Sequence, residues 1–374
     1  MKNLIEVLER VKVDSKRGVN FIFGEKDEFF LSYHTLYEES MKILYNLQQA
    51  GVKPGDKVIF QFVGIKEFVR IFWACVMGGM VPVNINACSN EESAGKFFNV
   101  CSIVKDYFIV TEKNTLEKIE YWAKRIDCGM EFNLNSSRIL LLEELGKLNS
   151  LGCLYEPDKD ELAFVQFSSG STNDSKGVML THGNLLSNLD AIARGMNGTK
   201  DDVSLSWLPL THDMGLIGFH MGAVYLGCTQ NLMPTELFLR RPMLWISKAS
   251  EHKASVLSSP NFGYKYFLSK FKQEEVENWD LSNVRLIYNG AEPIYPDLCN
   301  EFLDLMSNYN LKRNSMFTVY GLAEAVLAVS FSELSSEMKT VNIQRNSMTL
   351  GEKVVYCEKG EKSIELVNLG KAVC

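Results

Sequence analysis

The sequence predicts an α/β protein in which mainly parallel sheets are covered by helices. Short apolar runs of strand length alternate along the chain with segments whose apolar residues recur at helical spacing. This alternation is typical of parallel sheets with helices on both faces. With 374 residues, 46% of them hydrophobic and 11% aromatic, the chain can bury large cores and should form two or three compact units.

The first predicted unit spans residues 1–160. Leu36, Ile43, Leu44 and Leu47 fall on one helical face, and Gly51 is a suitable stop signal for that helix. The elements expected after it are strands at 57–62, 81–85 and 107–111, and a helix through Phe68, Phe72 and Val76. A surface connection at 151–160, which contains Gly152, Pro157 and several charges, should end this unit.

The second predicted unit spans residues 161–332. It should begin with a buried strand at 164–167, followed by a polar loop. The elements expected after the loop are helices near 184–194 and 215–226, and strands near 203–208, 254–258 and 284–288. Residues 333–374 are expected to form a separate segment, with strand-like alternation around Gly351 and a charged turn at 358–362.

Composition excludes several classes of protein. The net charge of −7, without any block of Lys and Arg, argues against a nucleic-acid surface. Nine scattered cysteines without a C-x-x-C pair favour reduced thiols and a cytoplasmic location. The N-terminus lacks the apolar core of a signal peptide. The most apolar stretch, 71–85, is too short to span a bilayer and contains two glycines and a proline.

The loop at 168–177 is the first candidate binding element. It offers backbone N–H groups, the Lys176 ammonium and the hydroxyls of Ser168, Ser169, Ser171 and Thr172, which are the donors that a polyphosphate requires. The spacing is not that of a Walker P-loop, because no glycine precedes Lys176 and no Ser or Thr follows it. From composition alone, a solvated hairpin connection remains an equal alternative.

Three further segments follow this loop in a fixed order. Residues 207–218 read Trp-Leu-Pro-Leu-Thr-His-Asp-Met-Gly-Leu-Ile-Gly, residues 288–293 read Tyr-Asn-Gly-Ala-Glu-Pro, and residues 320–325 read Tyr-Gly-Leu-Ala-Glu-Ala. The ordered set resembles the adenylate-forming enzymes, which include acyl-CoA synthetases, peptide-synthetase adenylation domains and fatty acyl-AMP ligases. The resemblance covers nearly the whole chain. It implies two similar α/β subdomains side by side and the start of a small β-barrel, and the ribose-binding motif and mobile C-terminal domain are expected to be absent from this chain.

The resemblance also implies an ATP site. Tyr320 would lie against adenine, and Thr172 and Glu324 would hold Mg²⁺ near the phosphates. The full set implied for ATP is Ser168, Ser169, Gly170, Ser171, Thr172, Lys176, Gly177, Gly290, Ala291, Glu292, Tyr320, Gly321, Leu322 and Ala323. This chain has Asn173 and Ser175 where the family usually has Gly and Pro. For Tyr320 and Glu324 taken alone, a core tyrosine and a helix-capping glutamate remain alternatives.

An acyl site is implied as well. The resemblance places His212 at the carboxylate end of the acyl pocket and, with Lys176 and Glu324, in the catalytic set. A fatty carboxylate is already ionised at neutral pH, so His212 is not expected to act as a general base. The substrate-binding residues would be His212, Asp213, Met214, Ser259, Asn261, Phe262 and Tyr264. A local helix cap at 212–213 and ordinary core packing of the aromatic residues are the structural alternatives.

The segments at 212–216, 238–242 and 258–264 match the fatty acyl-AMP ligase branch best. The implied reaction is ATP-dependent activation of a fatty acid to acyl-AMP, with an acyl carrier protein as acceptor. An amino-acid adenylation domain, in which Asp213 binds the substrate amine, is one alternative. A non-catalytic nucleotide- or acyl-binding module is another.

Residues 333–366 resemble the insertion that marks fatty acyl-AMP ligases. A plain surface hairpin is the alternative interpretation of this segment. We expect the insertion to dock through Val354, Val355 and Tyr356 onto the second unit.

Overall fold

The computed structural model describes residues 1–126, 138–168, 176–351, 353–360 and 362–373. It divides into two compact units. The first comprises residues 1–21, 30–189 and 210–216, and the second comprises residues 22–29, 190–209 and the chain from residue 217. This division differs from the predicted boundary at 160, and the segment after residue 332 groups with the second unit.

The N-terminal part of the chain supplies five helices and eight strands among the described residues. The helices are α1 Leu4–Val11, α2 Tyr33–Gln49, α3 Ile65–Met77, α4 Glu91–Val104 and α5 Lys113–Ala123. The strands are β1 Gly18–Ile22, β2 Glu28–Ser32, β3 Lys57–Gln61, β4 Val81–Asn84, β5 Tyr107–Thr111, β6 Ile139–Leu141, β7 Leu162–Ser168 and β8 Lys176–Thr181. The predicted strands at 57–62, 81–85 and 107–111 and both predicted helices are present.

The sheet of the first unit has the strand order β6-β5-β3-β4-β7-β8. Its strands are parallel, except that β8 runs antiparallel to β7. Because β7 pairs with β4, the hairpin β7–β8 belongs to the first unit, which explains the shift of the boundary. The core beneath contains Phe97, Ile109 and Val83, which are fully buried.

The remaining chain supplies six helices and nine strands where the structure describes it. The helices are α6 His182–Gly195, α7 Gly222–Leu226, α8 Thr235–Arg240, α9 Met243–Glu251, α10 Asn261–Lys270 and α11 Pro296–Ser307. The strands are β9 Val203–Ser206, β10 Thr229–Leu232, β11 Val256–Ser258, β12 Leu286–Asn289, β13 Met316–Gly321, β14 Ala328–Phe331, β15 Thr340–Gln344, β16 Ser363–Val367 and β17 Lys371–Ala372. Where an α-helix was predicted at 215–226, residues Met214–Met221 form a π-helix and only the last turn is α7.

In the second unit, β10, β9, β11, β12 and β13 are neighbours in that order and run parallel. Strand β14 continues the sheet antiparallel to β13, and β17 pairs antiparallel with β14. An aromatic core packs against this sheet. Its centre is Trp245, which stacks on Phe302 with ring centroids 6.0 Å apart and lies 6.1 Å from Tyr264. The α/β class with mainly parallel sheets is therefore confirmed.

The chain after Phe331 forms no closed barrel among the described residues. Strands β15 and β16 make a two-stranded antiparallel ribbon, and a bridge between Ile343 and Tyr356 extends it. Lys359 forms an ion pair with Asp297 of α11, with 3.3 Å between Nζ and Oδ1. The hairpin-like insertion is thus present, while the start of a barrel is reduced to the short β17.

The prediction that the insertion docks onto the second unit through Val354, Val355 and Tyr356 is wrong. Val354 and Val355 remain about half exposed, at 47% and 45%, and Tyr356 is 74% exposed. The backbone explains this: Gln344 and Cys357 donate to Val355 and Asn342 across the ribbon, so residues 354–356 continue the ribbon itself. Contact with the second unit is made instead by Lys359 and by β16 beside α11.

Candidate active site

The loop predicted to bind phosphate joins the two strands of the β7–β8 hairpin. Ser168 ends β7 and stands opposite Lys176, which begins β8. Ser169, Gly170, Ser171 and Thr172 lie outside the described residues, so their phosphate role stays a prediction. Lys176 and Gly177 are exposed at the base of the hairpin. Strands β7 and β8 therefore form a hairpin, as in the alternative interpretation of this segment as a solvated hairpin connection. Lys176, which carries an ammonium, directly follows the connecting residues.

The segment at 210–216 carries the predicted acyl-carboxylate residues and groups with the first unit. Nδ1 of His212 lies 2.7 Å from Oδ1 of Asp213, and the same carboxylate accepts a hydrogen bond of 2.6 Å from the amide of Met214. The hydrogen bond that His212 donates to Asp213 raises the pKa of His212 against the opposing effect of burial. A raised pKa favours the imidazolium, which suits an anionic partner.

These contacts also form the local cap that the sequence left open. The amide of Met214 begins the π-helix, and the His212 carbonyl accepts from Leu216 at 2.9 Å. The side chain of His212 is nevertheless 52% exposed, whereas that of Asp213 is only 13% exposed. An external ligand can therefore reach the imidazole more readily than the carboxylate. This observation disfavours Asp213 as the partner of a substrate amine.

In the second unit, three predicted segments leave the same edge of the sheet. Ser258 is in register with Tyr288, and Asn289 is in register with Thr318, on parallel strands. Ser259–Tyr264 follows β11, Gly290–Glu292 follows β12, and Tyr320–Glu324 covers the last two residues of β13 and the three after them. The carboxyl edge of a parallel sheet is where α/β proteins bind ligands. The fold therefore brings together signatures that are up to 65 residues apart in the sequence.

Two of these segments are joined directly by side chains. Oε1 of Glu292 accepts a hydrogen bond of 2.7 Å from the backbone amide of Phe262, in the first turn of α10. Nδ2 of the buried Asn261 donates to the Pro293 carbonyl. The carboxylate of Glu292 thus caps α10. If Glu292 also contributes to an adenine wall, as predicted, it would do so through its backbone.

Backbone geometry restricts the residue type at this edge. A Cβ on Gly290 would lie 2.8 Å from both Cγ2 and the carbonyl oxygen of Val319 on β13, so only glycine allows this approach of the two strands. Ala291, the next residue, has a φ of 69°, and Val326, just after the 320–325 signature, has a φ of 71°. Left-handed backbone is costly for alanine and more so for a β-branched residue, and such strain is concentrated at functional sites.

The 320–325 signature lies at the surface. The ring of Tyr320 is 48% exposed, so it is not the core tyrosine of the alternative interpretation. Gly321 is required because its Cβ would lie 2.1 Å from the Leu327 carbonyl oxygen at a β-bulge. Glu324 is exposed in a short 3-10 turn, Ala323–Ala325, where Leu322 is half-buried and Ala323 is buried. An accessible aromatic face and an accessible carboxylate are what an adenine and a magnesium ion require.

The predicted acyl-pocket residues divide into two groups. Tyr264 is fully buried, its hydroxyl donates to the Tyr288 carbonyl at 3.4 Å, and its ring packs against Phe302 at 4.9 Å, so it is a core residue. Its role in an acyl pocket stays a prediction. Ser259 and Asn261 are also buried, but they border the sheet edge. Phe262 is 45% exposed and is the one aromatic of this set that remains open to a ligand.

The only metal-compatible group found among the described residues lies elsewhere. Glu28, Glu251 and His252 of the second unit place ligand atoms within 4.8 Å of one another. The ammonium of Lys248 already contacts this group, at 2.5 Å from Glu28 and 2.8 Å from Glu251. The cluster is therefore an ion-pair network around a buried lysine. Of the two predicted magnesium ligands, Glu324 is an exposed carboxylate and fits the role, while Thr172 lies outside the described residues.

Comparison with known proteins decides the family. Residues 10–357 match the family described as AMP-binding enzyme. The chain belongs to the AMP-binding enzyme family.

Three members of known identity illustrate the range of the AMP-binding family around this chain. The chain is 26% identical over 350 residues to the medium-chain-fatty-acid–[acyl-carrier-protein] ligase JamA of Moorena producens, covering 91% of this chain and 57% of JamA. It superposes with a TM-score of 0.88 on the fatty acyl-adenylate ligase from L. pneumophila in complex with acyl adenylate and pyrophosphate, at 27% identity, over 100% of this chain and 64% of that one. It superposes with a TM-score of 0.90 on the adenylation domain of a keto acid-selecting NRPS module bound to keto acyl adenylate. The identity is 26%, and the match covers 100% of this chain and 67% of that one.

The chain spans a little over half the length of the curated AMP-binding relatives that match most of it. Within the described residues, no helix is both long and apolar enough to cross a membrane.

Three residues near the predicted acyl segment were not predicted as functional from the sequence: Asn86, Gln166 and Thr211. The amide of Gln166 on β7 donates from Nε2 to the Thr211 carbonyl at 2.7 Å, and Oγ1 of Thr211 donates to Oδ1 of Asn86 at 2.6 Å. These bonds attach the 210–216 segment to the first sheet. The available signal was a lone glutamine inside the apolar run Phe-Val-Gln-Phe.

Proposed function

We propose that this chain activates a fatty acid with ATP, forming acyl-AMP and releasing pyrophosphate, in a cytoplasmic protein that passes the acyl group to an acyl carrier protein. The observation that carries the proposal is the convergence of Ser259–Tyr264, Gly290–Glu292 and Tyr320–Glu324 at one sheet edge in a member of the AMP-binding family. The names of JamA and of the L. pneumophila ligase support the fatty-acid and carrier-protein parts.

The reaction needs little covalent help from the protein. A carboxylate oxygen attacks the α-phosphorus, the bond to the bridging oxygen of pyrophosphate breaks, and no proton has to move because the fatty acid is already ionised. Catalysis then depends on positioning and on stabilising negative charge. Magnesium, held by Glu324 and Thr172, would neutralise phosphate charge when it is bound.

The residues of this chain have corresponding roles in the proposal. Lys176 places a cation at the base of the hairpin whose connecting residues would surround the β- and γ-phosphates. The exposed Tyr320 ring provides a face for adenine. His212, whose pKa is raised by its hydrogen bond to Asp213, offers the carboxylate end of the fatty acid an imidazole whose protonated form is favoured. Phe262 would contribute to the apolar wall.

Calorimetric titration of ATP and Mg²⁺ tests the phosphate role. Lys176→Ala should weaken binding about tenfold, which corresponds to about 1.4 kcal/mol. Lys147→Ala, at an exposed lysine paired with Glu144, is the matched control and should bind as the wild type does. Equal affinity of the wild type and Lys176→Ala would show that Lys176 has no part in phosphate binding.

Competition among acyl-sulfamoyl adenosines of different chain length tests the substrate class. Each methylene buried in an apolar pocket contributes about 0.8 kcal/mol, so affinity should rise about fourfold per methylene until the pocket ends. The keto acyl adenylate of the similar NRPS domain makes keto acids the competing class. A keto acyl, aminoacyl or short-chain analogue that binds better than the medium- and long-chain analogues would refute a fatty acid substrate.

The acceptor is tested on a full-length enzyme that contains this region. We propose that the 333–366 insertion limits transfer to coenzyme A, so the enzyme should load a carrier protein and make little acyl-CoA. Deleting residues 339–362 should increase acyl-CoA formation. Efficient acyl-CoA formation before the deletion would refute the assignment to this branch.

A further inference from the structure

The segment that carries His212 has an unusual place in the chain. Residues 210–216 group with the first unit, although the chain on both sides of them, 190–209 and from 217 onward, groups with the second. The segment is seven residues long, and its last three residues begin the π-helix Met214–Met221. Its Leu210, Met214 and Leu216 are buried, and its Thr211 makes hydrogen-bonding contacts.

Two described side chains of the first unit provide such contacts. Gln166 Nε2 donates to the Thr211 carbonyl at 2.7 Å, immediately before His212. Thr211 Oγ1 donates at 2.6 Å to Asn86, in the loop after β4. That loop is itself fixed, because the buried Gln61 accepts from the Cys88 amide at 2.9 Å and donates to the Asn86 carbonyl at 3.4 Å. The chain of bonds runs from β3 through the loop to Thr211 and back to β7.

Gln166 is a poor choice for strand stability alone. Its side chain is 2% exposed, and its register partner on β4, Asn84, is 1% exposed. Oε1 of Gln166 and both amide atoms of Asn84 are buried and pair with no group among the described residues. Buried polar groups lower stability unless they are hydrogen-bonded, so an apolar residue would serve this strand better. The hydrogen bond that Gln166 does make beyond its own strand leads to the His212 segment.

Gln166 also lies on the strand that leads into the predicted phosphate hairpin. Ser168, two residues later, is the last residue of β7 and stands opposite Lys176. The Gln166 side chain therefore connects β7, the first strand of the hairpin, to the segment that carries His212. In the proposed reaction, these two elements handle the phosphates and the acyl carboxylate, whose atoms must meet.

We propose that Gln166 is a positioning residue that fixes the His212 segment relative to the β7–β8 hairpin, with Thr211 and Asn86 as the outer part of the same brace. The inference rests on the proposed function, because the brace matters for reaction only if the acyl carboxylate lies at His212. Gln166 does not touch the reacting atoms. It acts through the Thr211 backbone, and its effect should fall on acyl recognition more than on ATP affinity.

Two variants separate this role from general stabilisation. Gln166→Leu removes the donor and keeps a side chain of similar size. Asn46→Leu is the matched control, since Asn46 is a buried amide of the same unit that donates to the Leu148 carbonyl at 2.9 Å, in a loop outside the candidate site. Both variants remove one buried amide, and thermal melts of each variant show how far any change in the two readouts below follows stability.

The first readout needs no ligand. Hydrogen exchange of a peptide covering residues 207–218 should become at least fivefold faster in Gln166→Leu and stay unchanged in Asn46→Leu. Thr211→Val, which removes only the outer bond at a partly exposed position, should give a smaller change in the same direction. Unchanged exchange in both Gln166→Leu and Thr211→Val would overturn the proposal.

The second readout uses two ligands. Gln166→Leu should weaken a long-chain acyl-sulfamoyl adenosine about tenfold and ATP less than twofold, whereas Asn46→Leu should change neither. An equal loss for both ligands would overturn the positioning role in favour of a general effect on the hairpin. If the wild type itself fails to bind the acyl analogue, the proposed function is refuted, while the exchange measurement still decides whether the brace exists.

Discussion

His182 makes the free energy of unfolding of the first unit depend on pH. It begins α6, is 2% exposed, and accepts a hydrogen bond of 3.2 Å at Nδ1 from the Leu4 amide of α1. Burial lowers the pKa of His182 to about 4, against a smaller opposing effect of Glu161. The folded unit therefore requires the neutral ring, and protonation would also remove the acceptor that joins α1 to α6.

The sign and size of the effect follow from linkage. Between pH 6.5 and 4 the unfolded chain binds the proton and the folded chain does not, so the contribution is fully present above pH 6.5 and is lost as the pH falls towards 4. A difference of about 2.5 pKa units corresponds to about 3 kcal/mol in total. About 2 kcal/mol of this should already be lost between pH 7 and pH 5.

Urea unfolding at a series of pH values measures this loss. In His182→Gln, which keeps an acceptor but does not titrate, the fall in the free energy of unfolding between pH 7 and pH 5 should be smaller by about 2 kcal/mol. His34→Gln, at a half-exposed histidine of α2, is the control and should keep the wild-type slope. If His182→Gln and the wild type lose stability in parallel, the buried neutral histidine is not the cause.

Three further perturbations test other parts of the structure. Lys248→Met should lower the free energy of unfolding by about 3 kcal/mol because it removes the buried ammonium that Glu28 and Glu251 share, whereas Lys272→Met, at an exposed pair, should lose much less in the same urea titration. Equal losses would contradict the buried network. Glu292→Ala should destabilise the protein by about 1 kcal/mol in thermal melts because it removes the α10 cap, and Glu292→Gln, which retains an acceptor, should destabilise it less. Loss of ATP binding without loss of stability would instead favour a role of the Glu292 side chain in adenine binding. Gly290→Ala should lower the ATP affinity measured by calorimetry at least tenfold, because the added Cβ would force β12 and β13 apart. If the variant binds ATP as tightly as the wild type does, the strand ends tolerate a Cβ.

Much of the architecture was predictable because its signals are local. Strands at 57–62, 81–85 and 107–111 are apolar runs bounded by turn residues, and the predicted helices of the first unit show a clear apolar face. The partner of β7 was not predictable in this way. A strand carries no local mark of which neighbour it pairs with, so the hairpin was assigned to the second unit although it pairs with β4.

The candidate site shows the same limit. The ordered signatures identified which segments matter, and the sheet edge does bring three of them together. They did not indicate what each side chain contacts. Glu292 caps α10 and Tyr264 enters the aromatic core, because those outcomes depend on where α10 packs. The π-helix at Met214–Met221 likewise has no distinct periodicity in a segment that is apolar all round.

The interleaved course of the chain limits how this protein can be divided genetically. Residues 22–29 belong to the second unit but are encoded within the first, and residues 210–216 show the reverse arrangement. A single breakpoint anywhere within the coding sequence of residues 1–374 therefore separates at least one unit from part of itself. Exchange of one unit for that of a relative would need several coordinated crossovers, so homologous recombination should transmit the two units as one inherited block.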